Sequence, residues 1–240
     1  MLVRSRAIVL HTLRYGDNKL ICRVLTEREG CVTFVVRRSA RRQSPHRFFQ
    51  PLALLDVEWN KQSRTTMVTP RSIAWVEPYK SIPYDPQKSS VALFLCEFLQ
   101  AAVKGEPAGR ELFLFVEQSL RFYDRIAQQH ANFHLVFLLH FAAFIGLQPD
   151  ISTFEEGAFF DLREGTFSRT RPLHPDVIAP EEAAVLPVLM RMTYSNMHLF
   201  KLNGAERSRL LALLCSYYQL HVPAFPAMKS LDVLREIWSK

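Results

Sequence analysis

The sequence predicts an α+β protein in which a five-stranded OB-fold barrel precedes an α-helical domain that carries a small irregular hairpin insert. Roughly the first 80 residues contain short segments of alternating apolar and polar residues, separated by turn-forming residues. Three prolines between residues 78 and 86 then form a connector, and beyond it the apolar spacing becomes helical. We therefore expect an OB domain at residues 1–79 and a helical domain at 80–240, with the insert at 147–180.

The barrel is predicted from the spacing of its strands. A turn-rich stretch at Arg14–Asn18 separates the first two strands, and a second turn ends at Gly30. A long loop follows the third strand. This arrangement fits a small Greek-key barrel such as an OB-fold, although the periodicity also fits an SH3-like barrel. The expected strands are residues 7–13, 20–25, 31–36, 52–59 and 65–68, with 71–76 as a last strand or an exit segment.

The second half of the chain has apolar residues at helical spacing. Its leucine- and phenylalanine-rich faces are typical of bundle core rather than of a cofactor site. The insert contains Phe154–Phe167, which we interpret as a small hairpin. The expected helices are residues 91–103, 111–127, 133–145, 181–190, 205–220 and 231–238.

Positive charge is concentrated in the predicted barrel. Residues 1–80 contain 15 basic and 6 acidic residues, a net charge of +9, whereas the remainder of the chain contains 15 basic and 17 acidic residues. Five arginines and one histidine fall between Arg37 and Arg47. Such a segment cannot enter a core, so it lies in water or against an anion. A basic β domain on a near-neutral body favours binding of nucleic acid, although a solvated surface patch gives the same composition.

Residues suited to catalysis are few. No Ser, Cys or Thr lies in a nucleophile elbow, and no glycine-rich phosphate loop is present. His130 and His134 are four apart, as in some zinc sites, but no third ligand accompanies them. Four carboxylates of the insert suggest a metal-dependent nuclease as an alternative, although their spacing is more typical of a solvated hairpin: Glu155, Glu156, Asp161 and Glu164.

The composition also bears on location. The four cysteines are scattered without a CxxC pair, which favours reduced, buried thiols. No apolar run approaches the roughly 20 residues that span a bilayer, and the N-terminus lacks the features of a signal peptide. We expect a cytoplasmic, nucleoid-associated protein that does not bind membranes.

Four blocks of this sequence resemble the RecO family of bacterial recombination mediators, in the order in which that family has them. The opening Ala7–Asp17 is similar to the first hairpin of the family, and Leu25–Gly30 is similar to its next turn. Ala40–Arg42 with Gln50–Leu52 resembles its basic loop and following strand, and Lys229–Arg235 resembles its closing helix. The blocks extend over most of the chain.

The resemblance implies an OB-fold joined to a helical domain, with no active site. It implies a mediator of the RecF pathway that binds single- and double-stranded DNA, anneals complementary strands and helps RecA to replace the single-stranded DNA-binding protein, SSB. The implied partners are RecR and the C-terminal tail of SSB. Many family members carry a four-cysteine zinc element in the insert. This chain has no cysteine between Cys96 and Cys215, so we expect no zinc and a hairpin held by packing of its phenylalanines, Phe154, Phe159, Phe160 and Phe167.

The candidate DNA-binding residues follow from the motif and from charge. Arg38, Arg41 and Arg42 match the family's basic loop and are expected to contact phosphates. Arg37 and Arg47 are added on charge alone. Side chains two residues apart on a strand share a face, so others extend the patch: Arg4, Arg6, Lys19 and Arg23. Four aromatic residues are candidates for stacking on bases and, alternatively, for the core: Tyr15, Phe34, Phe48 and Trp59.

The SSB tail is acidic and apolar, so its site requires an apolar pocket with cations at the rim. Lys201, Arg207 and Arg209 are the candidates, although charges on a solvated helix surface explain them equally. Apart from the nuclease, the remaining alternative is an RNA-binding OB-fold protein without a role in recombination.

Overall fold

The computed structural model describes residues 1–38, 44–61, 67–104 and 109–238. The chain divides into two compact units, residues 1–126 with 232–234, and residues 127–231 with 235–240. The predicted α+β class is confirmed, because a curled β-sheet comes first and helices follow.

The first unit is built on one six-stranded sheet. The first strand is unusually long because residues 2–8 pair with β4 and residues 7–15 pair with β2. The pairing with β2 contains a bulge between Val9 and His11. The strand order is β5-β3-β2-β1-β4-β6. The strands are β1 Leu2–Tyr15, β2 Lys19–Thr26, β3 Gly30–Arg37, β4 Leu54–Asn60, β5 Met67–Val68 and β6 Pro70–Trp75.

The two edges of this sheet are parts of one segment. Only Thr69 separates β5 from β6, yet β5 pairs in parallel with β3 and β6 pairs antiparallel with β4. Residues 67–75 therefore act as a single interrupted strand that links both edges, which is the connectivity of a five-stranded OB-fold. The predicted OB-fold is confirmed, and the two predicted strands at 65–68 and 71–76 correspond to the halves of its last strand.

Two helices pack in the same unit. α1 (Pro86–Ala102) begins after Asp85, whose carboxylate accepts hydrogen bonds from the backbone N–H groups of Gln87 and Lys88. It lies against β1, where the Cys96 thiol donates to the Leu10 carbonyl at 2.7 Å. α2 (Arg110–Arg125) is amphipathic, and its apolar side contributes Leu112, Phe113, Val116, Leu120 and Tyr123 to the core.

The second unit contains the insert and the remaining helices. In the insert, the Phe167 ring packs against Phe160 and Phe154 at centroid distances of 4.9 and 5.0 Å. This hairpin also gains a third strand from residues 177–178. The elements are α3 Phe133–Phe144, β7 Phe159–Asp161, β8 Thr166–Ser168, β9 Val177–Ile178, α4 Pro180–Ala183, α5 Leu186–Leu189, α6 Gly204–His221 and α7 Ser230–Trp238.

The prediction of one continuous helix at residues 181–190 is wrong. The segment forms two short helices, α4 and α5, with a break at residues 184–185. Pro187 has no N–H to donate to the carbonyl four residues earlier, and its ring would collide with that carbonyl. The helical spacing of apolar residues is retained, but the backbone cannot continue through this position.

Gly165 joins β7 to β8 at a position where a side chain has no room. Its φ is +68°, and a Cβ atom there would lie 2.7 Å from the hydroxyl oxygen of the buried Tyr217. We expect Gly165→Ala to lower the free energy of unfolding of the second unit by about 2–3 kcal/mol, through backbone strain and displacement of the tyrosine. Gly157→Ala is the control, since φ is +79° there but no atom lies within 4 Å. Equal losses in urea titrations of the two variants would contradict a role for the Tyr217 contact.

Candidate nucleic-acid interface

Alternation along β1, β2 and β3 divides their side chains between the barrel core and an exposed surface. Inward residues such as Cys22, Phe34 and Val36 are buried. The register of the three strands arranges the outward residues in three cross-strand rows, which together we name the outer face: Tyr15–Lys19–Arg37, Leu13–Ile21–Val35 and His11–Arg23–Thr33. In OB-folds, the face of the second and third strands is where oligonucleotides bind.

Two like charges stand opposite each other in the first row. Lys19 and Arg37 are direct cross-strand partners and both are exposed. Such side chains start only about 5 Å apart, and like charges in this position destabilise a sheet. Neither forms an ion pair with a carboxylate among the residues that the structure describes. A bound phosphate between them would relieve this repulsion, so the pair favours an anion.

The first row continues into a groove, which we name the cationic groove. Its volume is about 620 Å³. Arg71 on β6 adds a third exposed cation that has no carboxylate partner within the described parts of the chain. The half-buried ring of Phe48 forms part of the wall. The lining residues are Lys19, Val35, Val36, Arg37, Pro45, Phe48, Thr69, Pro70, Arg71 and Ile73.

Sequence reasoning missed Arg71. It is the first basic residue after Arg64 and stands among uncharged neighbours, so no local charge cluster marks it. It reaches the groove because residues 67–75 link the two edges of the sheet. The only signal was the strand predicted at 71–76, which carries an exposed arginine at its start.

The arginine-rich segment is described at its two ends. Arg38 is half-buried, and its backbone N–H donates to the Asn18 carbonyl at 2.8 Å, which ties the end of β3 to the β1–β2 turn. Arg47 is exposed on a 3-10 turn at Pro45–Phe48. Arg41 and Arg42 lie outside the described residues. The ends of the segment therefore flank the cationic groove, since Arg37 and Pro45 both line it.

Arg4 and Arg6 do not join the outer face. Arg4 donates to the Asp56 carboxylate at 2.5 and 3.0 Å, and Glu58 lies 3.8 Å away. Arg6 bonds to Glu27 at 3.0 Å and to the buried Glu117 at 2.5 Å. The hydrogen bond to Glu27 is the main reason why the pKa of Arg6 lies above its usual value. These two charges are compensated within the protein, unlike those of the cationic groove.

Glu117 connects Arg6 to a wider ion network. It is 4% exposed, and its second oxygen accepts from Arg121 Nε at 3.0 Å. Arg121 also pairs with Glu77. At the other end, Arg110 Nε lies 3.2 Å from Glu27, which lowers the pKa of that carboxyl together with the stronger bond from Arg6. The network holds α2 against the β-sheet.

Arg23 and the candidate aromatic residues occupy different environments. Arg23 stands in the third row of the outer face. Burial raises the pKa of the nearby Cys31 thiol, and the positive charge of Arg23 opposes that rise. Phe34 and Trp59 are core residues, with ring centroids 5.4 Å apart in an edge-to-face arrangement. Tyr15 is exposed in the first row, and Phe48 lines the cationic groove. Only the last two are open to a base, and their stacking stays a prediction.

The carboxylates of the insert have partners of their own. Glu155 pairs with Arg169, and Asp161 accepts from His174 at 3.1 Å as well as from the N–H groups of Arg163 and Glu164. Across the described ranges, no group of three or more His, Cys, Asp or Glu side chains is arranged to hold a metal ion.

Of the two histidines that are four residues apart, His130 is half-buried ahead of α3, whereas His134 lies inside that helix. His134 is fully buried in α3, and burial lowers its pKa to about 3, so it is neutral at physiological pH.

Three of the four free cysteines are buried, and burial raises the pKa of Cys22 and Cys96 to about 12. Such thiols are unreactive. Of the helices that the structure describes, none is both long and apolar enough to traverse a bilayer.

The candidates for the SSB tail have different surroundings. Lys201 is exposed, whereas Arg209 pairs with Glu182. Arg207 is half-buried and donates to the Leu202 carbonyl, and burial lowers its pKa from the usual value. Two of the three cations are therefore engaged locally, and their role in binding a tail stays a prediction.

Comparison with known proteins assigns both halves of the chain. Residues 1–79 match the family model "Recombination protein O N terminal", and residues 83–231 match "Recombination protein O C terminal". The DNA repair protein RecO of Phocaeicola vulgatus is 41% identical, with 100% of both chains covered. The RecO of Bacteroides fragilis is 43% identical over 99% of this chain and 100% of its own, and that of Flavobacterium psychrophilum is 32% identical over 100% of both. Since family models match nearly the whole chain and these relatives align along their full length, this chain belongs to the RecO family of DNA repair proteins.

Proposed function

We propose that this protein is a non-enzymatic recombination mediator of the RecF pathway that binds single- and double-stranded DNA and anneals complementary strands. It would assist RecA in replacing SSB, and it would act in the cytoplasm on the nucleoid. The observation that carries the proposal is the cationic groove beside the outer face, where Lys19, Arg37 and Arg71 have no carboxylate partner within the described chain.

The chemistry of these residues supports binding that is independent of sequence. Lysine and arginine bind backbone phosphates and release counterions, which gives affinity without reading base edges. A mediator must act on any strand, so this kind of contact suits its task. Neutralised phosphates also reduce the repulsion between two strands, and every base that the protein does not contact remains free to pair. These properties are what strand annealing requires.

RecR and the SSB tail are proposed as partners on the basis of family membership. For the SSB tail, Lys201, Arg207 and Arg209 remain the proposed rim residues on the second unit. Exposed Lys201 is the one most accessible to a terminal carboxylate. No cofactor and no zinc are required by the proposal, since annealing forms and breaks no covalent bonds.

The test is annealing of complementary oligonucleotides that are precoated with SSB. We expect wild-type protein to accelerate annealing and Lys19→Ala/Arg37→Ala/Arg71→Ala to lose most of that acceleration. Arg38→Ala/Arg41→Ala/Arg42→Ala tests the arginine-rich segment separately. Annealing that survives both triple variants would place the DNA site elsewhere. The mediator function would be contradicted if folded wild-type protein failed to anneal the strands. It would also be contradicted if the protein bound RNA as tightly as DNA, or if it cleaved the DNA in the presence of Mg²⁺.

A further inference from the structure

A second groove in the first unit has no assigned role. We name it the aromatic groove. Its volume is about 410 Å³, and none of its lining residues carries a charge: Gln50, Pro51, Ala53, Trp75, Pro78, Tyr79, Ile82, Pro83, Tyr84, Ser89, Ala92 and Leu93. Three of them are aromatic and three are prolines. An uncharged, aromatic-rich groove on a strongly basic domain is suited to a ligand with flat apolar faces.

The groove has fixed walls and one fully accessible ring. The Tyr79 hydroxyl donates to the Leu52 carbonyl at 2.9 Å, which holds that ring in place. Tyr84 is 81% exposed, and Leu93 beside it is 52% exposed. The backbone at Tyr84 is nevertheless ordered by a turn, because its N–H donates to the Ser81 carbonyl at 3.0 Å immediately before α1. Tyr84 therefore presents an exposed ring from an ordered backbone and contributes little to the core.

The aromatic groove adjoins the cationic groove. Phe48 lines the cationic groove and Trp75 lines the aromatic groove, and their ring centroids are 5.5 Å apart. One aromatic pair thus forms the boundary between a groove with three cations and a groove with none. This change from charge to aromatic surface matches the two chemistries of a single nucleic-acid strand, its phosphates and its unpaired bases.

We propose that the aromatic groove binds unpaired bases of the same single strand whose phosphates lie in the cationic groove, with Tyr84 stacking on a base. The inference rests on the proposed function and adds to it a preference for single strands. In duplex DNA the bases are already stacked on one another and have no free faces, so a duplex would use the cationic groove alone. Proline-rich peptides also bind aromatic grooves, but the adjoining cationic groove favours a polyanion.

The test compares Tyr84→Ala with Tyr84→Phe, which retains the ring. The ligands are a single-stranded oligonucleotide, an abasic oligonucleotide of equal length and a duplex. We expect Tyr84→Ala to bind the single strand about tenfold more weakly, since each stacked base contributes about 1–3 kcal/mol. Tyr84→Phe should bind as wild type does, and all three proteins should bind the abasic strand and the duplex equally.

The outcomes separate this inference from the proposed function. Wild-type protein that binds no DNA would overturn both. If Tyr84→Ala binds the single strand as tightly as wild type does, or binds all three ligands more weakly by the same factor, Tyr84 does not stack on a base. The phosphate contacts would remain supported in either case. A polyproline peptide that binds wild type but not Tyr84→Ala, while DNA affinity is unchanged, would assign the groove to a peptide instead.

Discussion

Lys19→Ala/Arg37→Ala/Arg71→Ala should bind single-stranded DNA on the order of 100-fold more weakly than wild type. Each lost contact between a cation and a phosphate removes roughly 1 kcal/mol or more, and three of them account for this change. Folding should be retained, because all three side chains are exposed and Lys19 and Arg37 repel each other in the absence of a ligand. Fluorescence anisotropy with labelled oligonucleotides measures the affinity.

The salt dependence of binding tests the same prediction independently. The slope of log affinity against log salt concentration should decrease by about 2 for single strands, since each phosphate contact contributes roughly 0.7. Arg169→Ala/Arg171→Ala/Arg191→Ala is the control for net charge, because it removes three positive charges from exposed positions on the second unit. Of these three arginines, Arg169 pairs with a carboxylate, that of Glu155. A control that loses as much affinity and slope as the test variant would show that net charge, rather than the cationic groove, governs binding.

Glu117→Gln should lower the free energy of unfolding of the first unit by about 3–5 kcal/mol. Glu117 is buried between Arg6 and Arg121, so the substitution removes the carboxylate charge from two ion pairs at once. Among the residues that the structure describes, Arg6 then keeps only Glu27 as an acidic partner, and Arg121 keeps only Glu77. A hydrogen bond to a charged group contributes about 1.5–3 kcal/mol, and the substitution weakens two such bonds at a buried position. Urea unfolding followed by circular dichroism measures it.

Glu29→Gln provides the control for the ion network. Glu29 pairs with Lys61, but this pair is more exposed to water than the Glu117 pairs. Water screens such a pair, so the loss should stay below about 1 kcal/mol. If Glu29→Gln and Glu117→Gln destabilise the protein equally, the burial of Glu117 has no special role and the network does not hold α2 to the sheet.

Local patterns were sufficient to predict the strands of the barrel and the positive charge of the domain that they form. The alternation in residues 7–36 predicted strands whose inward side chains form the core, and the arginines of the first 80 residues predicted a basic domain. Arg37 was identified on charge alone, and Lys19 was identified from its charge and its position on a strand face. Their direct pairing required the register that the turn at residues 27–29 sets between β2 and β3.

Partners that are distant in sequence were not predictable. Arg6 was expected on the DNA-binding surface because it alternates with Arg4 on an exposed face. Its compensating carboxylate, Glu117, is 111 residues away on α2. Arg71 was not expected on the DNA-binding surface, because no other charged residue lies near it in the sequence. Residues 67–75, which link the two edges of the sheet, bring it beside Lys19 and Arg37. In both cases the tertiary arrangement, rather than the local charge, decides which cation is available to a ligand.

The most direct test of the central claim is photo-cross-linking of the intact protein to a single-stranded oligonucleotide that carries photoreactive bases, followed by peptide mapping. The account predicts cross-links to peptides containing Tyr15–Lys19, Val35–Arg37 and residues 70–84, with their yield reduced at high salt. Cross-links confined to residues 127–231 would place the DNA site on the second unit and contradict the assignment of the cationic groove.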